Sequence, residues 1–338
     1  MLAGDHGPGA QFGMRIIEIA ANAVQAERLQ KVTSAHVVDA LMYGAGESGP
    51  DFAKMLRDMN ARVAIPTTMN TGSADLVSEC SVGPRSDYES ARDVMRIFRD
   101  LGCTTTYTCS PFQEPQNRLR FGEHVAWGES NAVVFANSVF GARTNRYGNV
   151  IDIAAALTGR VPYAGLHITE NRRATVVVRL EGLPEEIVQG TYFYHVFGYL
   201  LGRIAGERIT AITGVTHKPT HDELKALGAA AASSGAIPMF HMVGVTPEAA
   251  TLEDALQGIL CREPGPAHRY NDRPQPGDSR YRVGKQPAAI FRCPAGSCGD
   301  HVGCLGWLGG VSCVPVQRRK AILGRVELPG RLHLGALD

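Results

Sequence analysis

The chain is expected to fold as a layered α/β protein, on three observations. Apolar residues recur at three- and four-residue spacing over segments of helical length. Those segments alternate with short apolar runs suited to buried strands. Of the 338 residues, 44% are hydrophobic, enough for a large core in one big or two ordinary domains.

In chain order, Met14, Ile17, Ala20, Ala21 and Val24 mark a first helix after a Gly- and Pro-rich start. Residues 61–66 (ARVAIP) suit a buried strand that opens into a polar turn at Thr67, Thr68, Met69 and Asn70. Ser86 with Glu89 forms a capping-box pattern ahead of the apolar face Ala91, Val94, Met95, Phe98 and Leu101, and Gly102 supplies a stop. Strands are expected at 174–180 and 209–214, and helices at 192–206 and 222–232. Gly198, Gly202 and Gly206 fall at four-residue spacing on the third of these helices. They would let a neighbour approach its backbone, since each costs about 1 kcal/mol of helix propensity against alanine.

Residues 1–258 read as the folded domain and 259–338 as a divergent tail. The tail holds twelve Lys or Arg against six Asp or Glu, together with 12 Gly, 8 Pro and five of the eight cysteines, and shows no sustained period. It reads as disordered chain or as a GC-rich gene translated out of frame. Net charge is +1 and no basic run is interleaved with aromatics, which argues against nucleic acid as a partner. The least polar stretch, 227–245, is broken by Pro238 and His241, unlike a membrane span. The N-terminus has neither a basic region nor an apolar core of the signal-peptide kind, so a cytoplasmic location and reduced thiols are expected.

Several constellations carry weak signals. GAGESG at residues 44–49 fits the dinucleotide pattern but lacks a clean preceding strand, so a tight loop is the simpler reading. His217 and His221 have metal-ligand spacing, yet Pro219 between them breaks the helix that spacing needs. Cys293, Cys298, Cys304 and Cys313, with His301, match no standard metal pattern. His36 and His241 lie beside apolar runs, where a satisfied core histidine is the default.

The chemistry concentrates between residues 104 and 173. Ser130, Asn131, Asn137, Ser138, Arg143, Thr144, Asn145 and Arg146 follow one another between short apolar runs. Buried polar groups cost a few kcal/mol unless hydrogen-bonded, so this density suits the grip of a small polar molecule, with caps and turns as the structural alternative. Arg143 and Arg146 suit a carboxylate or phosphate. Cys109 ends a Thr-rich segment, and its thiolate could ligate iron or be a buried structural thiol.

On these residues the chain resembles the catalytic portion of the aconitase X family. The resemblance rests on PTTMN (66–70), TCSPF (108–112), AWGESNAVVFANSVFGARTNR (126–146), TGRVPYAGLH (158–167), ENRR (170–173), LKALGAAAASSG (224–235) and FHMVGVTPEA (240–249), in the family's order. It covers residues 4–258 and implies a doubly wound aconitase-superfamily scaffold, with a cleft closed by a smaller swivelling domain. It further implies a hydro-lyase with an iron or iron–sulfur centre. The substrate would be a small hydroxy acid, cis-3-hydroxy-L-proline in the bacterial branch, which the motifs approach more nearly, or 5-phosphomevalonate in the archaeal one.

In the family the cysteine of the TC-x-P block is a cluster ligand, here Cys109. Elimination of water also needs a carboxylate grip, for which Arg143 or Arg146 stands, and orientation by Glu129, Ser130 and Asn131. Thr67, Thr68, Asn70, Ser138, Thr144 and Asn145 complete the expected substrate-binding set; no base is named. The family's remaining cysteines belong to a C-terminal section that residues after 258 do not reproduce. Its small swivelling domain is expected as a separate subunit. Two other readings are an inactive remnant of the family, and a nucleotide-binding protein using GAGESG.

Overall fold

Two mainly parallel sheets, each flanked by helices, organise the computed structural model of this chain. It describes residues 1–38, 48–72, 74–78, 84–190, 192–257 and 331–336, with backbone alone at 48, 149 and 331–336. The first half runs α1 (Pro8–Ala23), β1 (Leu29–Lys31), β2 (Ala35–Val37), α2 (Ser48–Asp58), β3 (Thr67–Met69), α3 (Arg85–Asp100) and β4 (Ala126–Trp127). It continues through α4 (Ser130–Phe135), a π-helical turn (Ala136–Phe140), α5 (Asn149–Thr158) and β5 (Arg160–Pro162). The second half runs β6 (Val176–Glu181), α6 (Glu185–Val188), α7 (Phe193–Ala205), β7 (Thr210–Thr213), α8 (His221–Gly235), β8 (Phe240–Met242), α9 (Leu252–Gln257) and β9 (Arg331–Ala336).

In the first half β3, β2 and β4 lie side by side, all parallel, and single parallel bridges add Thr104 beside Thr68 and Arg143 beside His124. Side chains alternate across the sheet. Ala35, Val37, Met69 and Ala126 pack into a core with Ile17 of α1, Phe98 of α3 and Ile153 of α5. Trp127, on the opposite face, joins Val134 and Phe135 of α4 in a second core.

The second sheet has the order β8-β7-β6-β9, parallel except for β9. Its Val176, Val178, Ile212 and Phe240 pack under Phe197 and Leu201 of α7 and Leu227 of α8. Val177 and Ala211 face the other way, toward Ala255 of α9. Both faces are covered, as parallel strands with near-continuous apolar sequence require. The expected layered α/β architecture is what forms.

Three local expectations are corrected. Residues 61–66 are not a strand: Val63 N–H bonds Leu101 O while Ala64 N–H bonds Ala156 O, so the run stitches two elements instead of pairing with one. Pairing starts after Pro66, which has no N–H, and the predicted polar turn is itself β3. The Ser86–Glu89 capping box does not form, because the helix starts at Arg85 behind Pro84; Ser86 Oγ reaches Asp87, and Glu89 pairs with Arg85. The capping box that does form joins Thr220 to Glu223 at the start of α8.

Of the tail, the six residues of β9 pair antiparallel with β6 along an edge that would otherwise expose backbone groups. Residues 258–330, with Cys261 and the later cysteines and His301, lie outside the described residues, as does most of GAGESG. Among the described residues no helix is long and apolar enough to cross a membrane.

Candidate functional site

All strands of the first sheet point the same way, so their carboxyl ends share one edge, where ligands of open α/β sheets bind. Thr68, His36 and Trp127 fall on one face by the alternation of β3, β2 and β4, and Asn70 and Glu129 follow two residues past the first and last of them. Asn70, wholly buried, donates from Nδ2 to Glu129 Oε2 at 2.7 Å and accepts the Thr71 N–H on Oδ1 at 2.8 Å. Glu129 is the residue before α4, and Ser130 Oγ donates to its other oxygen at 3.4 Å. Asn131 Nδ2 donates to Ser110 Oγ at 3.3 Å, while its Oδ1 is buried with no partner among the described residues.

Cys109 joins this group from the Thr-rich segment. Thr106 Oγ1 donates to Met69 O and anchors that segment to β3, and Tyr107 takes a positive φ of 45° just before the exposed Cys109. The Cys109 Sγ lies 3.9 Å from Thr71 Oγ1. The PTTMN, TCSPF and WGESN blocks, far apart in sequence, are therefore joined at one edge by Asn70–Glu129, Thr71–Cys109 and Ser110–Asn131.

The remaining predicted residues go elsewhere. Thr67 Oγ1 donates to Ile65 O. Thr144 Oγ1 accepts the Trp127 N–H and donates to Trp127 O, both within the buried sheet. Asn145 spans a turn, donating to Ala164 O and accepting the Leu166 N–H. Ser138 Oγ accepts the Phe240 N–H and ties the two halves together. Arg143 sits beside His124, at the amino end of the sheet, and its guanidinium donates to His167 O and Thr169 Oγ1.

Of the two arginines expected for the carboxylate grip, Arg143 is not brought beside Cys109. Nearness in sequence to Glu129 did not become nearness in space, because α4 and the π-helical turn carry the chain back to the opposite end of the strands. Arg146 is exposed, bonds Ala236 O at 2.6 Å, and by register lies nearer the carboxyl edge.

Sequence reasoning missed two buried groups. Arg172, 1% exposed, donates to Glu248, Asn137, Leu166 O and Ala142 O and locks the first half to the second. His124, His167 and Tyr147 form a chain in which the two Nδ1 atoms are 2.8 Å apart and the Tyr147 hydroxyl meets His167 Nε2. Burial, reinforced by Arg143 and Arg172, lowers His124 to about 4 and His167 to about 3, and burial raises Tyr147. Each is a polar group that reads in sequence like any other; only ENRR, a run of charge ahead of β6, gave a signal.

His217 pairs with Glu223 at 3.5 Å, while the ring of His221 packs edge-on against Phe135, so the two do not converge. His36 and His241 are buried as expected, but one ring nitrogen of each has no partner among the described residues. A groove of about 500 Å³ between α2 and α3 is lined by Lys54, Arg85, Glu89 and Arg96, away from Cys109.

Residues 1–170 match the family model described as Aconitase X first domain, and residues 174–263 that described as Aconitase X second domain. The cis-3-hydroxy-L-proline dehydratase of Hypocrea jecorina is 45% identical over 265 residues, covering 77% of this chain and 44% of that protein. The dehydratase of the same name from Pseudomonas aeruginosa is 44% identical, covering 78% and 44%. The phosphomevalonate dehydratase large subunit of Thermococcus kodakarensis is 35% identical, covering 78% and 65%. The crystal structure of Thermococcus kodakaraensis aconitase X in its holo-form superposes with a TM-score of 0.67 at 34% identity, over 77% of this chain and 63% of that one. The chain thus spans less than half the length of the hydroxyproline dehydratases it matches.

Proposed function

Because this chain belongs to the aconitase X family, we propose that its residues 1–258 form the catalytic portion of a hydro-lyase that removes water from cis-3-hydroxy-L-proline. The observation that carries this is the 45% identity to a hydroxyproline dehydratase, against 32–39% to the phosphomevalonate branch. It is supported by the polar cluster at the carboxyl edge of the first sheet. The reaction takes the proton from C2, made acidic by the adjacent carboxylate and ammonium, and releases hydroxide from C3.

Thr68, Asn70, Glu129, Ser130 and Asn131 orient the substrate in this reading, and Arg146 holds its carboxylate. Thr67, Ser138, Arg143, Thr144 and Asn145 act as the frame that keeps those groups in place. The proposed iron ligand is Cys109, an exposed thiol beside the cluster. A cluster takes about four protein ligands, and among the described residues no group of three or more His, Cys, Asp or Glu is placed to hold a metal. The donor set among the described residues supplies one ligand and not a whole centre. Bound there, iron would act as the Lewis acid that eases departure of hydroxide.

A small swivelling-domain subunit is the proposed partner, and the exposed thiol suits the reducing cytoplasm. Residues 259–338 are assigned no role. The test is anaerobic reconstitution with iron, sulfide and such a subunit, followed by loss of cis-3-hydroxy-L-proline. Turnover that falls at least about a hundredfold in Cys109→Ser, with parallel loss of bound iron, is the expected result. Turnover of 5-phosphomevalonate instead moves the protein to the other branch, and a colourless chain inert toward both is an inactive remnant.

A further inference from the structure

The centre of the first sheet carries a row of side chains on the site face: Thr68 of β3, His36 of β2 and Trp127 of β4, each the register partner of the next. His36 is wholly buried. Its Nδ1 lies 2.8 Å from Thr68 Oγ1, and its ring stands edge-on to Trp127 with centroids 6.4 Å apart. Its Nε2 is buried without a partner among the described residues. Thr68 keeps 8% of its surface, and the described hydrogen bonds give its hydroxyl no partner besides His36.

These facts decide a tautomer. Burial lowers His36 to about 4, so the ring is neutral near neutral pH and carries one N–H. Were that proton on Nε2, a buried donor would be left unpaired among the described residues, at the desolvation cost of that group. With the proton on Nδ1, only a lone pair goes unmatched. Nδ1–H then donates to Thr68 Oγ1, which must accept, and the threonine's own hydroxyl hydrogen is left to donate elsewhere.

We infer that His36 is a positioning residue, held as the Nδ1–H tautomer, which commits the Thr68 hydroxyl to donate to an anionic group of the substrate, its carboxylate. The second half of this inference rests on the dehydratase reading above. Thr68 shares its sheet face with Asn70 and Glu129, so the committed donor stands in the row that ends at the candidate site. Trp127 closes the other side of the ring and keeps it from turning over.

The test uses the full chain labelled with ¹⁵N-histidine, the His36 signals being assigned by their loss in His36→Asn. The expected ring pattern at neutral pH is a protonated Nδ1 and a bare Nε2. Calorimetric titration with cis-3-hydroxy-L-proline should show Thr68→Val and His36→Leu each weakening binding by about tenfold or more, as loss of a hydrogen bond to a charged group predicts. The double variant should be no weaker than Thr68→Val alone. His36→Asn, whose amide N–H stands where Nδ1–H stood, should recover most of the loss, which a packing role would not allow.

Protonation on Nε2 overturns the inference and leaves the dehydratase reading intact. Additive losses in the double variant, or no rescue by His36→Asn, also overturn it. A chain with the inferred tautomer that, reconstituted with iron, sulfide and the small subunit, takes up no cis-3-hydroxy-L-proline sinks the dehydratase reading together with the carboxylate contact, so the spectrum separates the two failures.

Discussion

Arg172 shows how much one side chain can hold. Its guanidinium hydrogens meet the Glu248 carboxylate of the second half and an amide oxygen and three backbone carbonyls of the first, and its backbone carbonyl accepts from His241 Nε2 at 2.7 Å. Asn137 is the matching hub: it donates to Thr144 O and Pro238 O and accepts from the Thr144 N–H and Arg172. A buried ion pair with every hydrogen bond made adds little over an apolar pair, but losing one partner strands the other in a dry interior. Arg172→Met is therefore expected to destabilise the chain by about 3–5 kcal/mol, measured by urea unfolding. Adding Glu248→Gln should return part of that loss by removing the stranded charge; equal stability of the single variant and wild type would refute the account.

At the scale of elements, the pair α7 and α8 is decided by glycine. A Cβ at Gly198 would meet Leu227 O, and one at Gly202 would meet Ala231 O and Ser234 Oγ, so the two helices touch backbone to backbone. Gly206 does something else: at φ 63° and ψ −126° it ends α7, in a conformation L side chains rarely adopt. Alanine in place of Gly202 gains roughly 1 kcal/mol of helix propensity. Overpacking against carbonyls that cannot retreat costs roughly 1–3 kcal/mol, so Gly202→Ala should lower stability on balance. An unfolding midpoint at or above that of the wild type would mean the helices stand farther apart.

Across the whole molecule, buried histidines govern the response to acid. His36 and His124 are lowered to about 4 and His167 to about 3 from 6.5, burial being the largest cause in each. The folded state binds fewer protons than the unfolded chain between those limits. Stability is therefore complete above about pH 6.5 and falls as the pH drops toward 4. Each group that stays neutral in the fold contributes up to about 1.4 kcal/mol per pH unit in that window; half-exposed His124 contributes less through solvent screening. Urea midpoints that decline from about pH 6.5 to about pH 4.5 are expected, and a flat profile would contradict buried neutral rings.

Much of this was legible in the amino-acid order alone. Helical spacing located α1, α3, α7 and α8, and apolar runs located β6 and β7, because burial of one face is written into local periodicity. The motif blocks identified the family, and TCSPF, PTTMN and WGESN supplied the residues that gather at the sheet edge. Which of them gather was decided only by the tertiary fold. Parallel strands bring residues together by their distance along the strand, not by their distance in sequence, so Glu129 reaches Asn70 while Arg143, fourteen residues on, faces the other end. The proton on His36 belongs to the same class of fact: it depends on which ring nitrogen finds a partner across the sheet, and no local pattern of residues encodes that.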